Sequence, residues 1–320
     1  MALLSLLMLL SCASPESPAG AGGGAASVGE EHRDTPEAEL LLWLDPARPA
    51  PGDCTVLTAG PCPPQGSIRL ETEAGLVLSP PHRCGDYVYF IIGIGLEVPP
   101  GTQELRLFLE GFAGRREITG ELQVAPCDFE TSRFSVPVKW TDEEAARRLP
   151  EEQERVRRAR QGAAPAPLWQ QPFIMPLESR ISSAYGAVRI INEGAPRRHT
   201  GLDIAAARGS PVVAMNAGVV RLAAPLLAQG NTVIIDHGMN LSSSYLHLDS
   251  IAVAEGVHVS RGALIGRVGE SGFASGPHLH WEVNLGETPL NPLQLISDDP
   301  LRWLPGPAVN PARIEALPHL

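Results

Sequence analysis

The chain has 320 residues, of which 43% are hydrophobic, so it is long enough for two domains that each bury a core. Its formal net charge of −11 argues against nucleic acid as the main partner, because nucleic-acid binders present basic surfaces. The 31 Pro and 32 Gly predict short strands, frequent turns and flexible connectors.

The first eleven residues form an apolar run that is too short to span a membrane as a helix, and it matches the core of an export signal. The run ends at Leu9-Leu10-Ser11-Cys12, which resembles the lipobox of bacterial lipoproteins. Residues 1–12 are therefore predicted to be a signal with a lipid anchor at Cys12. No Lys or Arg precedes the run and Leu10 is bulky for its position, so an ordinary cleaved signal is the alternative. Either way we expect an exported protein: periplasmic, an outer-membrane lipoprotein, or secreted.

The region before residue 139 divides into a tether and a β domain. Residues 13–38 are rich in Ala, Gly, Ser, Pro and Glu, a composition that buries too little apolar surface to fold, so they are predicted to be a flexible tether. In residues 39–138, apolar residues alternate with polar ones, as at Leu105, Leu107 and Leu109, and turn residues separate the runs. This pattern predicts an immunoglobulin-like β-sandwich.

Four cysteines besides Cys12 lie in this predicted β domain. They are Cys54, Cys62, Cys84 and Cys127. An even number of cysteines in one region of an exported chain predicts two disulfides, and the sequence leaves their pairing open. A zinc site made from them is less favoured, because none of them forms a C-x₂-C pair.

Residues 139–167 change to a charged helical pattern and are predicted to be a short linker. Thr141 and Glu144 have the spacing of a capping box, and acidic residues precede basic ones, which suits the helix dipole. Pro150 is expected to separate two short helices or to begin the second. We interpret the segment as a solvated linker and assign it no chemistry.

Residues 168–297 return to short strands with no helix-length pattern between them, which predicts an antiparallel, mostly β domain. The candidate strands are 211–214, 218–222, 232–237, 242–248, 263–268 and 278–283. Residues 298–320 are Pro-rich and are predicted to be an irregular tail. The fold class is thus mainly β, with a β-sandwich, a short helical linker and a second β domain.

His278-Leu279-His280 is the first of two histidine clusters that indicate chemistry. On a strand, residues two apart share a face, so His278 and His280 are expected to face one small volume. Leu279 and Trp281 then face the opposite side of the sheet. Two imidazoles on one face are typical of a metal site, although a short pattern of this kind also occurs by chance.

The second cluster contains His199 and Asp203, and imidazole and carboxylate are both good zinc ligands. Two His and one Asp leave the fourth tetrahedral position for water, which is the layout of a catalytic site. A third element contains Tyr245 and His247, which would share a strand face. His247 would then stand beside the metal without binding it.

The order and flanks of these elements resemble the lysostaphin/LytM-type zinc metallopeptidases, a family of peptidoglycan endopeptidases with a duplicated hybrid motif fold. The resemblance is continuous over about residues 172–295. The matching segments are Arg198-His199-Thr200-Gly201-Leu202-Asp203-Ile204, Gly209-Ser210-Pro211-Val212, residues 230–238, Tyr245-Leu246-His247-Leu248 and Gly276-Pro277-His278-Leu279-His280-Trp281.

The resemblance implies that His199, Asp203 and His280 bind Zn²⁺ and that His247 and His278 act as catalytic histidines beside it. It also implies a zinc metalloendopeptidase whose substrate is a peptide bond in peptidoglycan stems or cross-links. All five positions are filled here, which favours an enzyme over the alternative of a non-catalytic wall-binding or amidase-activating module.

One feature departs from the family pattern. Several members place a Tyr before the first ligand, near the developing oxyanion, whereas residues 187–199 contain none. Glu193, a backbone group or Tyr245 could replace it, although Tyr245 is equally well explained by strand packing. The Gly-rich loop 269–276 is expected to line a groove for an extended peptide, and His237 and His258 are interpreted as structural or surface residues.

Overall fold

The fold is mainly β, as the sequence predicts, and the strands of the described residues form four sheets. The computed structural model describes residues 41–62, 67–73, 75–111, 114–136, 141–162 and 164–297. The predicted signal with Cys12 (1–12), tether (13–38) and Pro-rich tail (298–320) lie outside the described residues. None of the helices in the described part has the length and apolar character needed to cross a bilayer.

The region before the helix contains nine strands among its described residues. They are β1 (Leu41–Asp45), β2 (Cys54–Gly60), β3 (Ser67–Thr72), β4 (Leu76–Leu78), β5 (His82–Cys84), β6 (Tyr87–Ile94), β7 (Gly101–Gly111), β8 (Gly114–Val124) and β9 (Thr131–Phe134). One antiparallel sheet has the order β1-β2-β6-β4, with β5 also paired to β6. A second has the order β3-β7-β8.

Strand β6 is the continuous apolar run of the sequence, and it is buried on both faces. Val88 and Phe90 belong to the core between the two upstream sheets. Tyr89 and Ile91 point the other way, into the core of the downstream domain. The alternation follows from the period of two along a strand, and it explains why the run has no polar face. An immunoglobulin-like topology and the domain boundaries stay predictions.

The expected disulfides are absent, because Cys54, Cys62, Cys84 and Cys127 are free thiols. Cys62 packs into the core between the upstream sheets, whereas Cys54 and Cys84 pack on the opposite face. Cys54 and Cys84 are opposite positions 93 and 87 of β6, which are roughly 20 Å apart at about 3.3 Å per residue. A disulfide needs Cα atoms within about 7 Å, which excludes a bond between these two. Because all four cysteines are free, the prediction of two disulfides is wrong for this structure.

Helix α1 (Asp142–Arg160) begins where the sequence predicts. The Thr141 side chain accepts a hydrogen bond from the Glu144 backbone N–H at 3.2 Å, which caps the first turn. Three acidic residues occupy the first turn and three arginines the last turn. The helix continues through Pro150, so the expectation of two short helices is wrong.

Two sets of contacts explain why α1 continues and where it lies. Arg148 forms ion pairs with carboxylates on both sides of Pro150, at 2.9 Å to Glu144 and 2.7 Å to Glu152. Glu152 also accepts a hydrogen bond from the backbone N–H of Leu227 at 2.7 Å. Val156 is buried in a small core that α1 shares with the downstream sheet. One side of the helix is therefore packed against the downstream sheet, so α1 is not solvated on all sides, and its role as a linker stays a prediction.

The residues after α1 contain twelve strands and a short helix in their described part. They are β10 (Arg180–Ser183), β11 (Val188–Ile191), β12 (Arg197–Arg198), β13 (Leu202–Ala205), β14 (Pro211–Val213), β15 (Gly218–Leu226), β16 (Gly230–Gly238), β17 (Leu241–Ile251), β18 (His258–Val259), β19 (Leu264–Val268), β20 (His278–Leu285), β21 (Thr288–Leu290) and α2 (Pro292–Ser297). The six predicted strands are confirmed, and four of them extend beyond their predicted ends.

A ten-stranded sheet with the central order β10-β13-β20-β17-β16-β15-β18 forms most of this domain. Its buried face carries Leu279 and Trp281, both fully buried in the core. The predicted division of faces along β20 is thus confirmed, since His278 and His280 lie on the opposite side, in a groove.

Strand β9 crosses from the upstream region to pair with the downstream one. It forms a three-stranded sheet of order β12-β11-β9, in which β9 and β11 run parallel with Thr131 opposite Val188. The Asn192 side chain accepts from the Val136 N–H at 2.8 Å and donates to the Val136 carbonyl at 2.9 Å. The upstream region is therefore joined to the downstream domain by backbone and side-chain hydrogen bonds.

His237 is a fully buried part of the downstream core and has a structural role. Its Nδ1 lies 2.8 Å from the Ala217 carbonyl, and its Nε2 lies 2.7 Å from the Ser243 hydroxyl. Burial is the main cause that lowers its pKa to about 4. The ring is neutral at neutral pH, and protonating it would place a charge in an apolar core.

We predict that His237 makes the protein less stable as the pH falls from about 6.5 towards 4. In that window the unfolded chain binds a proton at this residue and the folded chain does not, so the stability contribution is lost. The loss between pH 7 and pH 5 should be about 2 kcal/mol in the free energy of unfolding. Denaturant unfolding at both pH values should show a smaller difference for His237→Gln. Exposed His258→Gln is the control, and an equal effect of both substitutions would contradict the prediction.

Candidate metal centre and active site

The pairing of two antiparallel strands brings the first two candidate ligands together. In β13 and β20, Asp203 is the direct register partner of His280. Directly opposed residues on one face have Cβ atoms about 4.5–5.5 Å apart, so the two side chains meet. The distance from His280 Nδ1 to Asp203 Oδ1 is 2.7 Å.

His199 reaches the same point from the residue run just before β13. Its backbone is held by two hydrogen bonds of 2.8 Å, from the Gly186 N–H to its carbonyl and from its own N–H to the Ala187 carbonyl. Its Nε2 lies 3.1 Å from Asp203 Oδ1 and 3.1 Å from His280 Nδ1. The three predicted ligands thus converge although 81 residues separate the two histidines.

The donor set fits a tetrahedral divalent ion such as zinc. One ligand atom from each of His199, Asp203 and His280 lies within 4.8 Å of the other two, and all three residues are buried. Ligands bound to zinc at about 2.0–2.1 Å lie roughly 3.3 Å apart at the corners of a tetrahedron, close to the 2.7–3.1 Å seen here. Three protein ligands leave one position for water or substrate.

The second nitrogen of each ligand histidine has its own acceptor. His199 Nδ1 lies 2.7 Å from the Ala184 carbonyl, and His280 Nε2 lies 3.0 Å from Glu282 Oε1. Donation of the N–H to these oxygens orients each ring and makes His199 Nε2 and His280 Nδ1 the nitrogens that can bind a metal. These are the two nitrogens that face Asp203.

Electrostatics favour an ionised Asp203. Burial alone would raise its pKa, but hydrogen bonds with His199 and His280 outweigh burial and hold the pKa well below its usual range. Arg189 forms an ion pair with the second oxygen, Asp203 Oδ2, and also donates to Ser183. Burial would lower the pKa of His280, yet hydrogen bonds with Asp203 and Glu282 raise it to about 9. His280 must therefore release a proton before Nδ1 binds a metal.

His247 and His278 stand beside the three ligands. The centroid of the His247 ring lies 4.9 Å from that of His278 and 6.0 Å from that of His280. Nδ1 of His247 lies 2.8 Å from the Ser271 carbonyl, and Nδ1 of His278 lies 2.8 Å from the Gly276 carbonyl. Donation to these carbonyls leaves each Nε2 unprotonated in a neutral ring. Burial, followed by the nearby His280 and His278, lowers the pKa of His247 to about 3.

A β-bulge turns His247 towards the groove. Between the pairs Asn231–Leu248 and Val233–Tyr245, two residues of β17 face one residue of β16. The φ angle of His247 is +61°, a left-handed conformation that non-glycine residues seldom adopt. Tyr245 remains in the core, where its hydroxyl accepts from the Met215 N–H at 2.9 Å. The prediction that Tyr245 and His247 share a face is wrong, and Tyr245 is too deeply buried to act on substrate.

A groove of about 430 Å³ opens over Asp203, His247, His278 and His280, with His199 buried behind them. One wall is the loop 273–277, as the sequence predicts for the Gly-rich segment. The others include Ser182 and Ser183 of β10, and Phe134 of β9. The upstream region therefore supplies part of the groove, which the sequence did not reveal. Glu193, the suggested oxyanion partner, is not among the lining residues, whereas Arg189 is.

The fold and the site together define a class of protein. Residues 197–292 match Peptidase family M23, and this segment has the predicted LytM-type β fold. The resemblance to lysostaphin/LytM-type peptidases is thereby confirmed.

Particular relatives share this segment. DD-carboxypeptidase/endopeptidase Mpg of Neisseria meningitidis serogroup B is 38% identical over 122 residues, which cover 38% of this chain and 28% of that protein. Peptidoglycan DD-endopeptidase ShyA of Vibrio cholerae is 39% identical over 118 residues, 36% of this chain and 27% of that protein. The chain thus spans little more than a quarter of the length of these relatives.

A solved structure from Pseudomonas aeruginosa, described as peptidase M23, extends the likeness beyond this segment. It is 25% identical, with a TM-score of 0.58, and covers 78% of this chain and 96% of that chain. The family segment is 96 of 320 residues, so the structural likeness also includes residues outside it.

Sequence reasoning missed the residues that surround the ligands. The sequence could have indicated Glu282, because it lies two residues after His280 and therefore on the same strand face. Thr200, whose hydroxyl donates to Glu282 at 2.6 Å, lies between two recognised residues. Arg189 and Arg160 reach the site only through the tertiary fold, and no local pattern indicates them.

Gly201 gives a prediction about the packing of the site. A Cβ built on Gly201 would lie 2.6 Å from the Trp281 carbonyl oxygen and 2.8 Å from His280 Nε2. Gly201→Ala should therefore displace β20, lower the stability by about 1–3 kcal/mol and weaken metal binding. Thermal unfolding and titration with a divalent metal would measure both. Gly276→Ala is the matched control, because its Cβ meets no atom within 4 Å. Unchanged metal affinity in Gly201→Ala would contradict the prediction.

Proposed function

We propose that this chain is a zinc-dependent endopeptidase that hydrolyses peptide bonds in peptidoglycan stems or cross-links. The observation that carries the proposal is the convergence of His199, Asp203 and His280 at one point beside a groove, with two further histidines next to them. The relatives from Neisseria and Vibrio are a DD-carboxypeptidase/endopeptidase and a peptidoglycan DD-endopeptidase, which supports the same substrate class.

The ligand residues would hold the zinc ion, and the ion supplies Lewis-acid chemistry. With two histidines and one carboxylate as ligands, the chemistry that the ion would supply is polarisation of a carbonyl group and activation of water. Asp203 contributes the negative charge, and Arg189 holds its second oxygen so that Oδ1 stays directed at the histidines. Glu282 fixes the ring of His280 through Nε2.

His247 and His278 are the proposed proton carriers. Each ring is oriented by a hydrogen bond from Nδ1 to a backbone carbonyl, so its Nε2 is the atom left for substrate or water. A neutral imidazole at this place accepts a proton from the attacking water and, once protonated, gives it to the leaving amine. The imidazolium also stabilises negative charge on the tetrahedral intermediate.

The groove suits an extended peptide. The hydroxyl and backbone groups of Ser182, Ser183 and Ser275 are polar partners for peptide amides, while Phe134 and Pro277 are apolar. We propose a D-Ala–diaminopimelate cross-link as the substrate in preference to polyglycine. An exported location, which residues 1–12 predict, would bring the enzyme to that substrate.

The first test is digestion of purified sacculi by the full-length protein. We expect soluble muropeptides to be released only when zinc is bound, with loss of activity in a chelator and recovery after zinc is restored. A pentaglycine peptide and a Gly-rich protein, tested in parallel, should be cut far more slowly. Zinc binding without any turnover would favour the alternative, a non-catalytic wall-binding or amidase-activating module, and would overturn the proposal.

A second test separates the ligands from the proton carriers. His280→Ala should lose zinc and activity together, because it removes one of three ligands. His247→Ala should keep the metal and lose turnover by about 10²–10⁴-fold, the usual contribution of general acid–base catalysis. Zinc content by elemental analysis and muropeptide release would be measured on the same samples. Loss of zinc from His247→Ala would show that the ligand assignment is wrong.

A further inference from the structure

The last residue of helix α1, Arg160, reaches into the candidate active site. Its Nη2 forms an ion pair with Glu282 Oε2, across 122 residues of sequence. The side chains are 20% and 7% exposed, so the pair is shielded from water. Arg160 lies outside residues 197–292, the part of the chain that matches the peptidase family.

Glu282 connects Arg160 to a proposed zinc ligand. Its Oε1 accepts hydrogen bonds from His280 Nε2 at 3.0 Å and from the Thr200 hydroxyl at 2.6 Å. The other nitrogen of His280 faces Asp203. The carboxylate of Glu282 thus contacts the guanidinium of Arg160 through Oε2 and the ring of His280 through Oε1.

Arg160 is held in place by the packing of its helix. Val156 and Ala159 of the same two turns are buried against strands β15 and β16. The chain after the helix is fixed as well, because the Gly162 N–H donates to the Asn240 side chain at 3.3 Å. The Nε of Arg160 is buried without a hydrogen-bond partner among the described residues. The ion pair with Glu282 is therefore the contact that compensates this buried charge.

We propose that Arg160 is a positioning residue of the zinc site, which holds the Glu282 carboxylate in the orientation that fixes the His280 ring for metal binding. A buried carboxylate that loses its counter-charge turns away towards other partners, and this weakens its hold on the Nε2–H of His280. A histidine that loses this partner is a poorer and less well-oriented metal ligand. The inference rests on the proposed function only in taking the ion to be zinc.

The test is the zinc dissociation constant of the full-length protein, measured by competition with a chromophoric chelator and without substrate. Arg160→Met keeps the length of the side chain and removes its charge, and it should weaken zinc binding by about tenfold, the lower end of effects seen for residues that support a ligand. Arg160→Lys should recover part of the affinity. Arg158→Met is the matched control, because Arg158 lies on the same helix and pairs with Glu154.

A double-mutant cycle shows whether Arg160 acts through Glu282. Glu282→Gln alone should weaken zinc binding, and adding Arg160→Met to it should change the affinity little further. In the cobalt-substituted protein, the visible absorption bands should shift in Arg160→Met and stay unchanged in Arg158→Met. Wild-type affinity in Arg160→Met, or additive losses in the double variant, would overturn the proposal.

These measurements separate a structural role from a positioning role. A purely structural Arg160 would lower the melting temperature and leave the zinc affinity and cobalt spectrum of the folded fraction unchanged, which counts against the proposal. If Arg160→Met does not fold, Arg160→Gln, which also removes the charge but keeps a polar side chain, provides the same comparison. Because no substrate is present, a protein that binds zinc but fails to cut sacculi would refute the proposed function and leave this test intact.

Discussion

The site depends on one structural constraint, the antiparallel register of β13 and β20 that sets Asp203 opposite His280. A shift of one residue in either strand would turn its site residue into the hydrophobic core and bring that strand's apolar residues, Leu202 and Ile204 or Leu279 and Trp281, to the groove. The burial of those four residues fixes the register, since each of them is fully buried. The hydrophobic core and the polar site are thus two faces of the same strand pair.

Around this pair, every charge in the buried site has a partner of opposite sign. Asp203 contacts two histidines and Arg189, and Glu282 contacts His280 and Arg160. Removing one member of a buried pair of this kind costs about 3–5 kcal/mol, because the remaining charge is left in a medium of low dielectric constant. The arginines come from β11 and α1, neither of which carries a proposed ligand. The site is therefore stabilised by elements that its sequence motifs do not include.

The sequence was sufficient wherever the relevant signal is local. The period of two along residues 278–281 predicted which histidines share a face, and Thr141 predicted the start of α1. The bulge at His247 was not predictable from the same rule, because it depends on how β17 pairs with β16. The break predicted at Pro150 was wrong because that prediction used only the local preference of proline. The ion pairs of Arg148 and the packing of the helix stabilise one continuous α1. The prediction of disulfides was wrong because the number of cysteines does not indicate which face of a sheet each cysteine lies on.

Strand β9 changes what counts as the catalytic unit of this protein. Its parallel pairing with β11 places Phe134 at the groove, although Phe134 precedes the family segment by more than sixty residues. Chimeras that exchange only residues 197–292 between relatives would transfer the ligands of one protein but keep the groove wall and the helix of the other. Chimeras whose boundary lies before residue 131 would instead transfer the ligands, the groove wall on β9 and helix α1 together.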